Sequence, residues 1–195
     1  MQSKNNNESA FTLIELLMVV AIIAILAGIL IPAIGAVRKQ ANVAASKAQI
    51  SGYVNAIQMF KGEYNYLPFV TGGADTTIDL SSGAQSQAFI ETLSGKDPTT
   101  GAVVQTGGNR RSSPFHSFSD SDFLLEDDNS ISQTQLADRF GNVNIKVRLD
   151  GDGDGLIDPD VAGTSPASPS DPIRTNVTMW VEPDADGNPG YALWD

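Results

Sequence analysis

Two acidic features of this 195-residue chain combine residue type and spacing in ways that could do chemistry. The first is Glu15, the single ionisable residue in the apolar run over residues 11–34, FTLIELLMVVAIIAILAGILIPAI. A carboxylate in hydrocarbon is costly unless it is paired, and such residues are functional by default. No Lys or Arg lies inside the run, so a positive partner must come from elsewhere. A new α-amino group would supply it if the chain were cut just before Phe11, on the same copy or on the next. The plainer reading places Glu15, four residues from Phe11, at the lipid headgroup level.

The second feature is the loop over residues 150–160, DGDGDGLIDPD. Asp150, Asp152, Asp154 and Asp158 fall at positions 1, 3, 5 and 9, with Gly155 at position 6. This is the spacing of a calcium loop, in which alternate side chains converge and glycine permits the sharp turn. Leu156 at position 7 would offer its backbone carbonyl. Position 12 is Val161 rather than a bidentate Glu, leaving Asp160 or a distant acid to substitute. No helices are expected to flank the loop, so it is not an EF-hand. All-oxygen ligation selects calcium over zinc or copper. Five aspartates so close together repel one another unless a cation is present; without one, the segment is a solvated Asp-Gly turn. Asp184 and Asp186 form a second acidic pair, either completing the same site or standing apart from it.

Other chemistries find little support. Cysteine is absent, which excludes a disulfide framework, a thiol nucleophile and a thiolate metal site. The one histidine, His116, is a poor basis for a zinc site or a Ser-His-Asp triad and is expected to cap or pack locally near Pro114. There is no nucleophile elbow and no phosphate loop, and calcium explains the acid-rich loops better than glycosidase chemistry does. The expectation is a protein that is not an enzyme. A net charge of -11 also argues against nucleic acid as a partner.

Three zones must position these residues. Residues 1–10 are polar and lack any apolar period. Residues 11–34 read as a transmembrane segment, because 21 residues from Phe11 to Ile31 span about 31 Å as a helix. A secretory signal peptide is the rival, but its apolar core is shorter and no small-x-small cleavage site follows here. The helix is expected to continue to about residue 61, with Ile50, Val54, Ile57 and Phe60 forming one stripe beside Tyr53 and a stop near Gly62. Pro32 should bend or locally melt it. Its first half is apolar all round and needs lipid or other copies of itself around it.

Residues 62–195 form the head. They carry 21 of the 23 acidic residues and seven of the 12 basic ones, whereas residues 38–61 hold Arg38, Lys39, Lys47 and Lys61 and no acid. This polarity provides solubility, and it also lets heads and stems of neighbouring copies attract. Period-two alternation predicts strands over 142–149 and 175–182. A short helix is expected near 88–93, with ordered loop through the rest of 71–110. The fold class is α+β, a long N-terminal helix packed on a small antiparallel sheet.

The segment from Ala10 through Pro32 resembles the cleavage and methylation segment of type IV prepilins and type II secretion pseudopilins. In that family a membrane peptidase cuts before the Phe and methylates the new amine. A Glu at the fifth mature position is needed for assembly, and a Pro occupies the twenty-second. Counted from Phe11, Glu15 is fifth and Pro32 twenty-second. The family usually has Gly before the cut, where this chain has Ala10. Weaker likenesses to major pseudopilins lie in FKGEYNYLP, in DRFGNVNIKVRLDGDGDG, where Asp138, Gly141 and Asn142 match and Arg139 and Phe140 depart, and in VTMWVEPDADGNPG. The missing C-terminal cysteine pair points the same way.

The resemblance implies a pilin-like subunit in the inner membrane, with a single span and a periplasmic head. It implies removal of residues 1–10 as a leader by a prepilin peptidase, handling by secretion or pilus assembly machinery, and a homopolymer built through the N-terminal helix. A type II secretion pseudopilus is the first expectation. The alternative is a type IV pilin, or a minor pilin-like calcium-binding module for recognition or adhesion.

Overall fold

The structure, a computed structural model, describes residues 12–159 and 169–194, without the side chains of Pro32 and Ala33. The chain divides into two units, Met1–Ala41 and Asn42–Asp195. Helix α1, Leu13–Tyr64, contributes to both.

In the first unit α1 presents apolar surface on every side. Sixteen large apolar side chains between Leu13 and Val37 are exposed, from 47% at Ile34 to 87% at Leu13. Burying such a side chain is worth about 1.5–3 kcal/mol, so this surface represents tens of kcal/mol awaiting an apolar environment. The segment is long and apolar enough to cross a bilayer. The helix runs unbroken through position 32, with no local melting at the proline.

In the second unit α1 becomes one-sided. Ile50, Tyr53, Ile57 and Phe60 are fully buried, a stripe with the 3-4-3 spacing of one helical face. Val54, expected in the stripe, is only partly buried, and Tyr53 takes the central place. The helix overruns the expected stop at Gly62 and runs to Tyr64, with Asn65 closing it. There the backbone turns left-handed, with φ 60, and the N–H donates to the Lys61 carbonyl at 2.8 Å. Asn is one of the few residues that tolerate this helix-ending conformation.

The stripe packs on a four-stranded antiparallel sheet of order β1-β4-β5-β6, formed by Thr76–Asp79, Ile145–Leu149, Val177–Val181 and Tyr191–Ala192. The inner face presents Ile78, Ile145, Val147, Leu149, Val177, Met179 and Val181 to the core. Helix α2, Gly83–Ser94, closes the core with Phe89, Ile90 and Leu93. A separate hairpin pairs β2, Phe123–Leu125, with β3, Ile131–Leu136.

Two expected strands are shorter than their alternation suggests. β4 starts at Ile145 because residues 138–144 form a turn on the buried Asp138. Its Oδ1 accepts the N–H groups of Phe140 and Asn142, at 2.7 and 2.9 Å, and its Oδ2 accepts the Tyr191 hydroxyl at 2.6 Å. β5 spans Val177–Val181 rather than 175–182. The 71–110 stretch expected to be mostly loop contains β1, and its helix is twelve residues long.

Candidate functional site

At the N-terminal end, Thr12 and Glu15 form a reciprocal cap on α1. The Glu15 N–H donates to Thr12 Oγ1 at 3.3 Å, while Thr12 donates its N–H and hydroxyl to Glu15 Oε2 at 2.9 and 2.7 Å. This is a capping box, which satisfies donors that a helix start would otherwise leave open. The box uses only Oε2; Oε1 has no partner among the described residues. Glu15 thus has a structural role besides its charge, and Thr-x-x-Glu ahead of an apolar run is the sequence signature of that role. Ala10 and Phe11 lie outside the described residues.

The acidic loop is anchored where β4 ends. Asp150 is buried, at 3% exposure. Its N–H donates to the Asn176 carbonyl at 3.0 Å, and the Asn176 amide donates to Asp150 Oδ2 at 2.7 Å. Gly153 N–H reaches Oδ1 at 2.6 Å and Gly155 N–H reaches Oδ2 at 3.1 Å. Burial pushes this carboxyl's pKa up, but the Asn176 amide, the two glycine N–H groups and the charge of Lys61 together hold it below the usual aspartate value. Gly153 and Gly155 take φ values of +81 and +82, so the turn needs glycine at both positions.

The loop acquires an acid from elsewhere in the chain. β1 pairs with β4 in the register Thr76↔Leu149, which sets Asp75 beside the start of the loop. Asp75 Oδ1 accepts the Gly151 N–H at 3.0 Å and Oδ2 accepts the Asp158 N–H at 2.7 Å. A Cβ on Gly151 would lie 2.0 Å from the Ala74 carbonyl oxygen, so glycine is what lets the two segments meet. Asp75, Asp150 and Asp152 each offer a carboxylate oxygen within 4.8 Å of the others. Asp75 is not among the residues the sequence singles out. Its only signal is its place before a four-residue strand with one large apolar residue.

Asp152 also accepts the Asp154 N–H at 3.2 Å, and Asp154, outside this group of three, accepts the Leu156 N–H at 2.8 Å and serves the turn. Asp158 contributes main-chain groups, its carbonyl accepting from Arg148 Nε at 2.8 Å. Asp160 lies outside the described residues. Asp184 and Asp186 do not complete this site. Ile145 pairs with Val181 and Leu149 with Val177, so the turn after β5 stands at the opposite end of the sheet from Asp150. Asp184 is occupied there: Oδ1 accepts the N–H groups of Asp186 and Asn188, and Oδ2 accepts the Asn188 amide.

The donor set fits a hard divalent cation, since three carboxylates from two segments converge and only oxygen is offered. The protein also supplies a positive charge of its own. Arg148 Nε stands 3.9 Å from Asp75 Oδ2 and offsets part of the repulsion that the sequence alone leaves unbalanced. His116 packs rather than ligates, with its ring edge-on to Tyr53 at a centroid distance of 5.0 Å.

Comparison with known proteins addresses the N-terminal end. Residues 5–31 match the prokaryotic N-terminal methylation motif. The chain is 48% identical over 59 residues to PilA4 of Thermus thermophilus, a type IV wide pilus major component. That stretch covers 30% of this chain and 45% of the relative, so the chain spans less than half the length of the curated relative it matches. No solved structure matches the chain.

Proposed function

We propose that this type IV prepilin-like chain, an α+β protein with a long apolar N-terminal helix and a small antiparallel head, is a structural filament subunit, inserted in the inner membrane with its head outside, cut before Phe11 and polymerised through α1. One observation carries the reading: the helix from Leu13 to Val37 is apolar all round and exposed, with Glu15 as its single acid. Lipid covers such a surface before assembly, and the same helix of other copies covers it afterwards. The Oε1 of Glu15, which the capping box leaves open, would accept the methylated amine of an adjoining subunit once a prepilin peptidase has removed the leader. The role is architectural, without catalysis.

We further propose the type II secretion pseudopilus as the branch, working with the secretion machinery of the inner membrane to drive protein export. Its support is the calcium-type loop with Asp75, Asp150 and Asp152, together with the missing cysteines. Calcium, when bound, would be held by these three carboxylates and would tie the loop after β4 to the segment before β1. A surface pilus is the second reading, favoured by the relative's identity as a pilus component.

The test begins with mass spectrometry of fibres sheared from producing cells. A mature chain starting at methylated Phe11 is expected; one starting at Met1 or near Ala36 refutes the processing step. Glu15→Leu should keep membrane insertion and lose fibres. Normal fibres from that variant would reduce Glu15 to its capping role. Loss of exported protein on deletion of the gene selects the pseudopilus, whereas intact export with lost surface fibres selects the pilus.

A further inference from the structure

The head contains a cavity of about 630 Å³ between α2, the segment after it and the β2–β3 hairpin. Ile90, Phe118, Phe123 and Ile131 give it apolar walls. Asp97 and Asp120 line it as well, against a single lysine, Lys96. Ile131 is 40% exposed, and its cross-strand partner Leu125 is 60% exposed. The hairpin tip continues from Leu125 into Glu126 and Asp127, both exposed and without an ion pair among the described residues. An apolar hollow edged by unpaired acids fits a ligand with apolar side chains followed by cations.

The chain carries such a segment. Ile34, Val37 and Arg38 fall at i, i+3 and i+4 of α1 and share one helical face, with Lys39 next in sequence. Ile34 and Val37 are 47% and 64% exposed, and both basic residues are exposed. These cations have no acid in their own stretch, because residues 38–61 contain none. Just beyond an apolar span they would meet lipid phosphates; a subunit that leaves the bilayer for a filament loses those counter-charges. Acids on another copy must then replace them.

We propose that the cavity beside the β2–β3 hairpin receives Ile34 and Val37 of a second copy of this chain, with Arg38 and Lys39 of that copy set against Asp120, Glu126 and Asp127. The proposal rests on the filament reading above and extends it to a specific contact. Two different patches meet, so the interface is heterologous. An interface of that kind propagates from copy to copy instead of closing into a two-fold dimer.

The native chain has no cysteine, so cross-linking can test the contact in the full-length protein in its membrane. Val37→Cys combined with Ile131→Cys should give a ladder of multimers on oxidation, whereas each single variant stops at dimers. Val37→Cys with Gln133→Cys, which uses an exposed residue lining the same cavity, repeats the test without altering an apolar wall. Arg38→Glu with Lys39→Glu should abolish the ladder, and adding Glu126→Lys with Asp127→Lys should restore it. Fibres from the native chain, with no ladder from either cysteine pair, would overturn the contact and leave the filament reading standing. A ladder without native fibres would keep the contact and remove the filament. If neither appears, both fall. A charge reversal that alters only membrane retention would assign Arg38 and Lys39 to lipid phosphate and overturn the proposal.

Discussion

Replacing Asp152 with Asn separates a calcium site from a solvated turn. Asp152 is exposed, and its carboxylate accepts one N–H, from Asp154, at 3.2 Å. Removing its charge should therefore change the ion-free head by no more than about 0.5 kcal/mol. With calcium the outcome differs. An ion that binds only the folded state at a hundredfold excess over Kd adds about 2.7 kcal/mol. At about 2–4 °C per kcal/mol for a domain of this size, the soluble head, residues 42–195, should melt roughly 5–10 °C higher in calcium than in chelator. Asp152→Asn should erase most of that difference and leave the chelator value in place. Asp75→Asn should behave otherwise, because Asp75 also holds the Gly151 and Asp158 N–H groups. It should lower the melting temperature even in chelator, by the equivalent of about 1–3 kcal/mol. Differential scanning calorimetry under both conditions reads all three proteins. Equal melting temperatures of the unaltered head with and without calcium would refute the site. A full calcium shift in Asp152→Asn would refute the ligand set.

Two further outcomes follow from the same geometry. Burial pushes the His116 imidazole pKa down, with Asp122 pulling weakly the other way, so folding favours the neutral ring. That stability is present above the ordinary histidine pKa of about 6.5 and is lost as pH falls below it, so thermal scans between about pH 7 and 5 should show a decline that His116→Phe flattens. Gly151→Ala places a Cβ 2.0 Å from the Ala74 carbonyl oxygen. Denaturant titration should show a loss of about 1–3 kcal/mol, and the calcium response should vanish because Asp75 can no longer approach.

The parts of this protein legible in its sequence are those with a long or regular signal. The span over 11–34 is an uninterrupted apolar run, and the stripe from Ile50 to Phe60 repeats at helical spacing. Ile145, Val147 and Leu149 alternate strictly with Lys146 and Arg148, the period-two signal of a strand, although the fold buries Arg148 as well. β1 is illegible because Thr76–Asp79 holds one large apolar residue, and β6 because two residues carry no period. The acidic loop is legible within residues 150–158, where spacing along the chain sets the turn. Its partner Asp75 is not, because pairing of β1 with β4 brings it there, and one short strand reveals no register. Asp184 and Asp186 mislead for the reciprocal reason: spacing shows that acids are near in sequence, but not which end of a sheet they occupy.

What separates a structural acid from a functional candidate is whether the acceptor capacity left over by the fold converges with that of other acids. Asp138 is buried, yet its two oxygens are taken by the N–H groups of Phe140 and Asn142 and by the Tyr191 hydroxyl. Asp184 likewise spends both oxygens within its own turn. Asp122 gives Oδ2 to Ser119 and faces Arg139 with Oδ1 at 3.6 Å. These acids hold turns, and none of them joins a convergent group of three acids among the described residues. Glu15 and Asp152 each spend a single oxygen on the local chain. Asp75 accepts one N–H on each oxygen, while Asp150 accepts one donor on Oδ1 and two on Oδ2, so the lone pairs left over lie on both Asp75 oxygens and on Asp150 Oδ1, and convergence with Asp152 points them at one spot. Acids are plentiful in a chain with 23 of them, so their number selects no site. Convergence does, and among the described residues it brings three acids together at the end of β4, while Glu15 stands apart as the one acid in an apolar run.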